Sequence, residues 1–285
     1  MARSPIFAEQ LPGAAADALR EYREDRDTLL ALLTASWRSD ARIRAALLWG
    51  SFGRGDADDL SDLDPWLLAA DEAAAEMGQV LRQYAQQTGS LILAMDTPQH
   101  APPGGGFMSF LHEGRHGLLQ VDCYWQPVST VLDKANYTVL FDRQAKAYAG
   151  QEHPRPIPLE EVLGLQAEVE HGLYFAWFMF LITAKSLARD AVSDLSLMFY
   201  PKLGLEEAAA RLGQADLLTP EDWAVPELPE EKVERLRHLV SKTEQLRVAA
   251  NAQGCVFSPV SAPCLLRFLD MVDSILESRA SYSIN

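Results

Sequence analysis

The sequence predicts an α/β N-terminal half followed by an all-α C-terminal half. Three observations carry that reading. Short apolar strands alternate with helical periodicity through the first half, prolines crowd Pro154, Pro156 and Pro158, and the longer segments beyond them repeat apolar residues at steps of three and four. With 285 residues, 48% of them hydrophobic, the chain exceeds one typical domain and can bury a sizeable core. The expected division is a domain over 1–150, a proline-rich linker over 151–158 and a helical domain over 159–285.

Residues 14–37 read as a helix, with Leu19, Tyr22, Leu29, Leu30 and Leu33 as an apolar stripe suited to covering one face of a sheet. Ala45–Trp49 is a short apolar strand that delivers Gly50. Leu63–Ala69 is a second strand, Glu72–Gln87 an alanine-rich helix and Leu91–Met95 a third strand. Phe107–Leu111 and Leu118–Trp125 bracket His112-Glu113-Gly114-Arg115, expected as a hairpin turn. Tyr137–Phe141 is the last strand-like segment. Beyond the prolines, helices are expected over 159–190, 205–214, 229–252 and 261–279, with Thr219-Pro220-Glu221-Asp222 as a capped short helix.

The segment WGSFGRGDADDLSDLDPW, from Trp49 to Trp66, is the one that points to chemistry. Asp62 and Asp64 are two apart, so in extended chain they share a face, while Leu63 and Pro65 point the other way. Asp56, Asp58, Asp59, Asp62 and Asp64 crowd together, and like charges at that spacing raise one another's pKa. A hard divalent cation relieves the repulsion. Mg2+ takes one or two protein carboxylates and completes its shell with phosphate oxygens and water. Gly50 and Ser51 offer a phosphate cradle, since glycine lets backbone approach closely, serine adds a hydroxyl and N–H, and a helix opening there favours anions. Asp56, Asp58 and Asp59 have no such spacing and read as solvated or capping; Arg54 reads either as a pair for this acidic loop or as a site residue.

With Gly50, Ser51, Arg54, Gly55, Ser61, Asp62 and Asp64 in this pattern, the chain resembles the polymerase-beta-type nucleotidyltransferase superfamily. The resemblance implies a nucleotidyltransferase domain with a small mixed sheet, and a third carboxylate on a later strand. Asp122, in LLQVDCYW, is the candidate: Gln120, Asp122 and Tyr124 alternate with Leu119, Val121, Cys123 and Trp125. The two-part layout looks like the aminoglycoside and lincosamide branch. The activity that the resemblance implies is transfer of a nucleoside monophosphate, AMP first, from ATP or another nucleoside triphosphate to a hydroxyl, with pyrophosphate release. Asp62, Asp64 and Asp122 would hold one or two Mg2+ ions and act in catalysis. Gly50, Ser51, Arg54, Ser61 and Lys185 would bind the nucleotide.

In the long helix after the prolines, Glu168, His171, Phe175, Phe178, Ile182, Lys185 and Arg189 share a face. Lys185 and Arg189 are placed to reach phosphates or to complement the helix C-terminus. Glu168 lies about 25 Å from Lys185 along the axis, so the two cannot grip one phosphate; Glu168, Glu170 and His171 are candidate acceptor-side groups, and His171 reads equally as a core histidine. Tyr124, Tyr84 and Trp125 are stacking candidates, with burial the default for each.

A net charge of −15 without a basic run argues against a nucleic-acid partner and suits a small cationic acceptor; the resemblance implies a small hydroxylated acceptor, an aminoglycoside-like antibiotic first, and with it a role in antibiotic resistance. Three cysteines without a Cys-x-x-Cys pair indicate neither a zinc site nor a disulfide framework. The start of the chain has no signal-like apolar region and the longest apolar run is short of a membrane span, so a cytoplasmic protein without a membrane partner is expected. Competing readings are a protein-modifying nucleotidyltransferase, a non-catalytic partner-binding homologue of the toxin-antitoxin type, and a metal-dependent phosphohydrolase.

Overall fold

The computed structural model describes residues 5–130, 136–143, 169–189 and 200–282. Six strands form one mixed sheet: β1 Ile43–Leu48, β2 Pro65–Ala69, β3 Leu91–Asp96, β4 Gly106–Gly114, β5 Gly117–Pro127 and β6 Thr138–Asp142. Their order across the sheet is β3-β4-β5-β2-β1-β6. β1 pairs antiparallel with β2 and β6, and β3 with β4, whereas β2 and β5 run parallel. The described residues also form seven α-helices: α1 Gly13–Ser39, α2 Gly50–Arg54, α3 Met77–Gln87, α4 Val169–Ala188, α5 Tyr200–Arg211, α6 Pro229–Ala252 and α7 Ser261–Tyr282. The chain is thus mixed α/β with its C-terminal part helical. Among the described residues no helix is long and apolar enough to cross a membrane.

By internal contacts the chain falls into two compact units. One holds Arg23–Gly114 and the chain from Leu119, and so most of the sheet. The other gathers the chain up to Tyr22, Arg115–Leu118 and the C-terminal helices. The expected linker, 151–158, and Glu168 lie outside the described residues.

In the sheet unit, strand alternation sorts side chains by face. Leu63, Leu67, Val121 and Cys123 are buried at 0%, 0%, 0% and 1% exposure. On the same face Trp125 donates its indole N–H to the Ala74 carbonyl at 3.1 Å and its ring lies beside Gly78 of α3. Trp125 is therefore core. Tyr84 donates its hydroxyl to Asp40 at 2.8 Å, a structural contact. The C-terminal half of α1 buries Leu29, Leu33 and Trp37, and Arg38 near its end donates to the Leu140 carbonyl at 2.9 Å.

In the helical unit α4 packs against α5, α6 and α7, and α6 against α7. A helix apolar on all sides has to be surrounded, and α4 buries Leu173, Ala176, Trp177, Phe180 and Leu181 among others. Tyr22 donates to the Leu118 carbonyl at 3.1 Å and meets the Phe268 ring edge-on at 5.4 Å, which explains why both ends of that contact belong to this unit. Thr219 and Asp222 cap the short 3-10 turn Pro220–Trp223 reciprocally, as their spacing implies.

Three elements differ from expectation, the first being the helix expected over 205–214, which runs from Tyr200 to Arg211. The turn between β4 and β5 is Arg115-His116 rather than His112–Arg115, because His112 is wholly buried and Gly117 supplies the positive φ of +114° that closes the hairpin. The helix expected from Glu72 starts as the 3-10 segment Asp71–Glu76 and becomes α-helical only at Met77.

Candidate active site

Asp62 and Asp64 precede β2, and Leu63 between them bridges Val121 in parallel. The Leu63 N–H donates to the Gln120 carbonyl at 3.1 Å, and the Asp122 N–H donates to the Leu63 carbonyl at 2.8 Å. Farther along, Trp66 pairs with Tyr124 in the same register. Asp64 therefore stands opposite Asp122 on a neighbouring parallel strand, where chains lie about 4.8 Å apart. Asp62, Asp64 and Asp122 are all half-buried and share one face. Their charges converge on Tyr124: burial first, and then the charges of Asp122, Asp64 and Asp62, push its hydroxyl far above the usual tyrosine range.

The glycine-serine turn closes over this face. Trp49 donates its N–H to the Asp64 carbonyl at 3.0 Å, and Gly50 follows with φ +65°. A β-carbon on Gly50 would lie 2.1 Å from Asp64 Oδ2, so the glycine is required twice, by its dihedral and by the carboxylate pressed against it. Gly53 is equally constrained, since a β-carbon there would meet the Asn136 carbonyl oxygen at 2.0 Å. The helix opened by Gly50 is only five residues long, so the anion-binding capacity of this turn rests on N–H groups and on Ser51 rather than on a macrodipole. Ser51 Oγ is buried and has no hydrogen-bond partner among the described residues.

The acidic loop is held from α1. Arg26, 5% exposed, donates through one guanidinium nitrogen to the carbonyls of Asp58, Asp59 and Ser61 at 2.8, 3.4 and 3.3 Å, and lies over the Phe52 ring at 4.9 Å. Arg23 pairs with Asp59 at 3.1 Å. Asp58 and Asp59 are buried at 5% and 2% exposure, so of the two expectations, solvated or capping, the first is excluded. Asp58 caps the turn, accepting from Leu60 N–H at 3.2 Å and from Ser61 Oγ at 2.9 Å. Ser61 also accepts from the Asp58 N–H at 2.9 Å, so its hydroxyl shapes the turn that presents Asp62. Arg54 pairs with Asp56 at 3.1 Å on the surface, the simpler of its two readings.

Beside the carboxylates stands an aromatic wall. Tyr124 stacks on Trp66 at 5.0 Å with an 11° tilt, and touches Trp49 edge-on at 5.4 Å and Phe107 at 4.4 Å. Trp66 donates its indole N–H to Gln126 at 3.1 Å. Tyr124 is thus a wall residue with its π-face already engaged. Neither residue of α4 that sequence reasoning favoured belongs to the sheet unit. Lys185 is 2% exposed in the helical unit, and His171 stacks on Phe175 at 6.5 Å there.

Sequence reasoning missed the groups that hold Asp122. Ser109 Oγ donates to Asp122 Oδ1 at 2.6 Å, and Gln120 Nε2 donates to Oδ2 at 2.8 Å. The one signal was a serine inside the apolar run of β4. Arg26 was equally invisible, because the loop carbonyls it holds lie more than thirty positions away.

The donor set fits Mg2+ with a triphosphate. Asp64 and Asp122 bring hard carboxylates to register-paired positions on neighbouring strands, a glycine gives way to the first of them, and the Ser51 hydroxyl beside that glycine has no hydrogen-bond partner among the described residues. Among the described residues no three His, Cys, Asp or Glu side chains form a ready metal cage. Mg2+ needs none, since it takes one or two carboxylates and fills its octahedron with phosphate and water. Neither a family model nor a curated protein matches the chain in sequence comparison.

Proposed function

We propose that this chain is a Mg2+-dependent nucleotidyltransferase that moves a nucleoside monophosphate, AMP first, from a nucleoside triphosphate to a hydroxyl of a small cationic, aminoglycoside-like acceptor. The observation that carries the proposal is the placement of Asp64 opposite Asp122 on parallel strands, with Gly50 yielding space to the Asp64 carboxylate. Asp62 and Asp64, with Asp122 beside them, would hold the metal. When bound there, Mg2+ supplies Lewis acidity that offsets phosphate charge and acidifies the attacking hydroxyl.

The chain's own residues do the rest. Ser51 and the adjoining N–H groups donate to the β and γ phosphates and fix the leaving group, and each orphan helix N–H satisfied in this way costs no reorganisation. The acceptor oxygen bonds to the α phosphorus as the bond to the bridging oxygen breaks, and pyrophosphate leaves with the electron pair. The acceptor's proton passes to Asp122, or to solvent where Asp122 serves instead as a further metal ligand. The wall of Trp49, Trp66, Tyr124 and Phe107 keeps water from that side of the carboxylates, which strengthens every charge interaction beside it. The excess negative charge of the chain favours a cationic acceptor.

Labelled ATP or GTP, Mg2+ and a panel of aminoglycosides and lincosamides test the proposal directly. Acceptor-dependent pyrophosphate release, with a product heavier by one nucleoside monophosphate, is the expected result. Triphosphate turnover that ignores the acceptor would instead favour hydrolysis, and neither turnover nor metal-dependent nucleotide binding would sink the reading.

A further inference from the structure

We infer that Ser109, acting with Gln120, is the positioning residue that fixes the Asp122 carboxylate for the transfer step, an inference that rests on the nucleotidyl-transfer reading. Ser109 is 5% exposed on β4, between Met108 and Phe110 at 2% and 3%. A hydroxyl buried among such neighbours is costly unless it is hydrogen-bonded. Its bond goes to Asp122 Oδ1 at 2.6 Å, while Gln120, 4% exposed, donates to Oδ2 at 2.8 Å.

The two donors reach different oxygens of one carboxylate, from β4 and from β5 itself. The terminal torsion of an aspartate is otherwise broad. With one donor on each oxygen, turning the carboxylate plane breaks both bonds, so the orientation is set before any ligand arrives. An alanine at 109 would fill a core position without polar cost. What the serine adds is the orientation of the group opposite Asp64.

The test uses the full chain with Ser109→Ala and Ser109→Thr, and Mn2+ as a spectroscopic stand-in for Mg2+. Ser109→Ala is expected to keep its melting temperature, weaken Mn2+ binding by about 10–100-fold and lower kcat by a similar factor, as loss of a partner behind a metal-ligating group does. KM for the triphosphate at saturating Mn2+ should hold, and Ser109→Thr, which restores the hydroxyl, should return both quantities to the native range. Gln120→Met, which removes the other donor, should weaken Mn2+ in the same direction, and keeps the inference testable if Ser109→Ala fails to fold.

Native Mn2+ affinity and kcat in Ser109→Ala, with both lost in Asp122→Asn, would overturn the inference and leave the transfer reading standing. Equal defects in the Ala and Thr variants, with matching losses of melting temperature, would reduce Ser109 to packing and also overturn it. A native chain that neither binds Mn2+ nor releases pyrophosphate would overturn both.

Discussion

Replacing Gly50 with alanine separates the two demands placed on that position. The β-carbon would sit 2.1 Å from Asp64 Oδ2 and 2.8 Å from Cγ. Comfortable contact begins near about 3.4 Å, so the carboxylate has to retreat by about 1 Å or more. The obstacle is the end of a side chain rather than backbone, so the chain can still fold by turning Asp64 away. The fold then loses only the strain of an alanine at φ +65°, about 1–2 kcal/mol, which corresponds to a melting temperature lower by about 2–8 °C. Function loses more, because a 1 Å misplacement of a reacting constellation costs roughly a hundredfold in rate. Gly55 provides the control: its φ is +76° and nothing lies within 4 Å of a β-carbon there. Gly55→Ala should match Gly50→Ala in melting temperature while retaining acceptor-dependent pyrophosphate release. The reasoning is refuted if Gly50→Ala turns over at the native rate, or if Gly55→Ala loses as much activity.

Gly53→Ala should be harsher on stability than Gly55→Ala, because its β-carbon meets backbone, the Asn136 carbonyl oxygen at 2.0 Å, and thermal melts of the two variants compare them directly. His112 is wholly buried, and burial pushes its pKa down to about 4, below the unfolded value. Its contribution is therefore intact above about pH 6.5 and drains away as the pH falls toward 4, by about 3 kcal/mol in all. Denaturant melts of the native chain and His112→Gln across that window should show the shallower slope in the variant, and parallel slopes would contradict this. Burial alone would raise the Asp222 carboxyl, but bonds from Lys242, the Thr219 N–H and His238, each at 2.6 Å, hold it well below the usual range. Asp222→Asn should cost about 2–4 kcal/mol at neutral pH. Since the folded pKa is depressed, that deficit should be complete above about pH 4 and shrink as the pH falls below it; a deficit unchanged at low pH would contradict the charge-based account.

What could be read from the sequence was local. The alternation of Asp62 with Asp64, and of Asp122 with its apolar neighbours, required only a period of two, and the structure keeps it. The helix over Pro229–Ala252 announced itself through a proline at its first position, a preference that belongs to helix starts. What escaped were pairings between distant segments. Nothing near Asp122 in the chain says that β2 lies parallel beside it or that Ser109 reaches it from β4, because strand partners are chosen by the whole core. Asp58 and Asp59 read as solvated or capping because the Arg23 that pairs with Asp59, and the Arg26 that binds the loop's main-chain carbonyls, sit on α1, a helix legible only as an apolar stripe. Glycines carried a second hidden message: Gly50 marked a turn in the sequence, while its contact with Asp64 existed only once the chain had folded.

The most direct measurement of the central claim is Mg2+-dependent, acceptor-dependent pyrophosphate release by the native chain beside Asp64→Asn and Asp122→Asn, with circular dichroism and melting followed in parallel. The account predicts one pyrophosphate per modified acceptor from the native chain, and loss of release to background in both variants with the fold retained. Sustained metal-dependent release by a folded Asp64→Asn variant would contradict it.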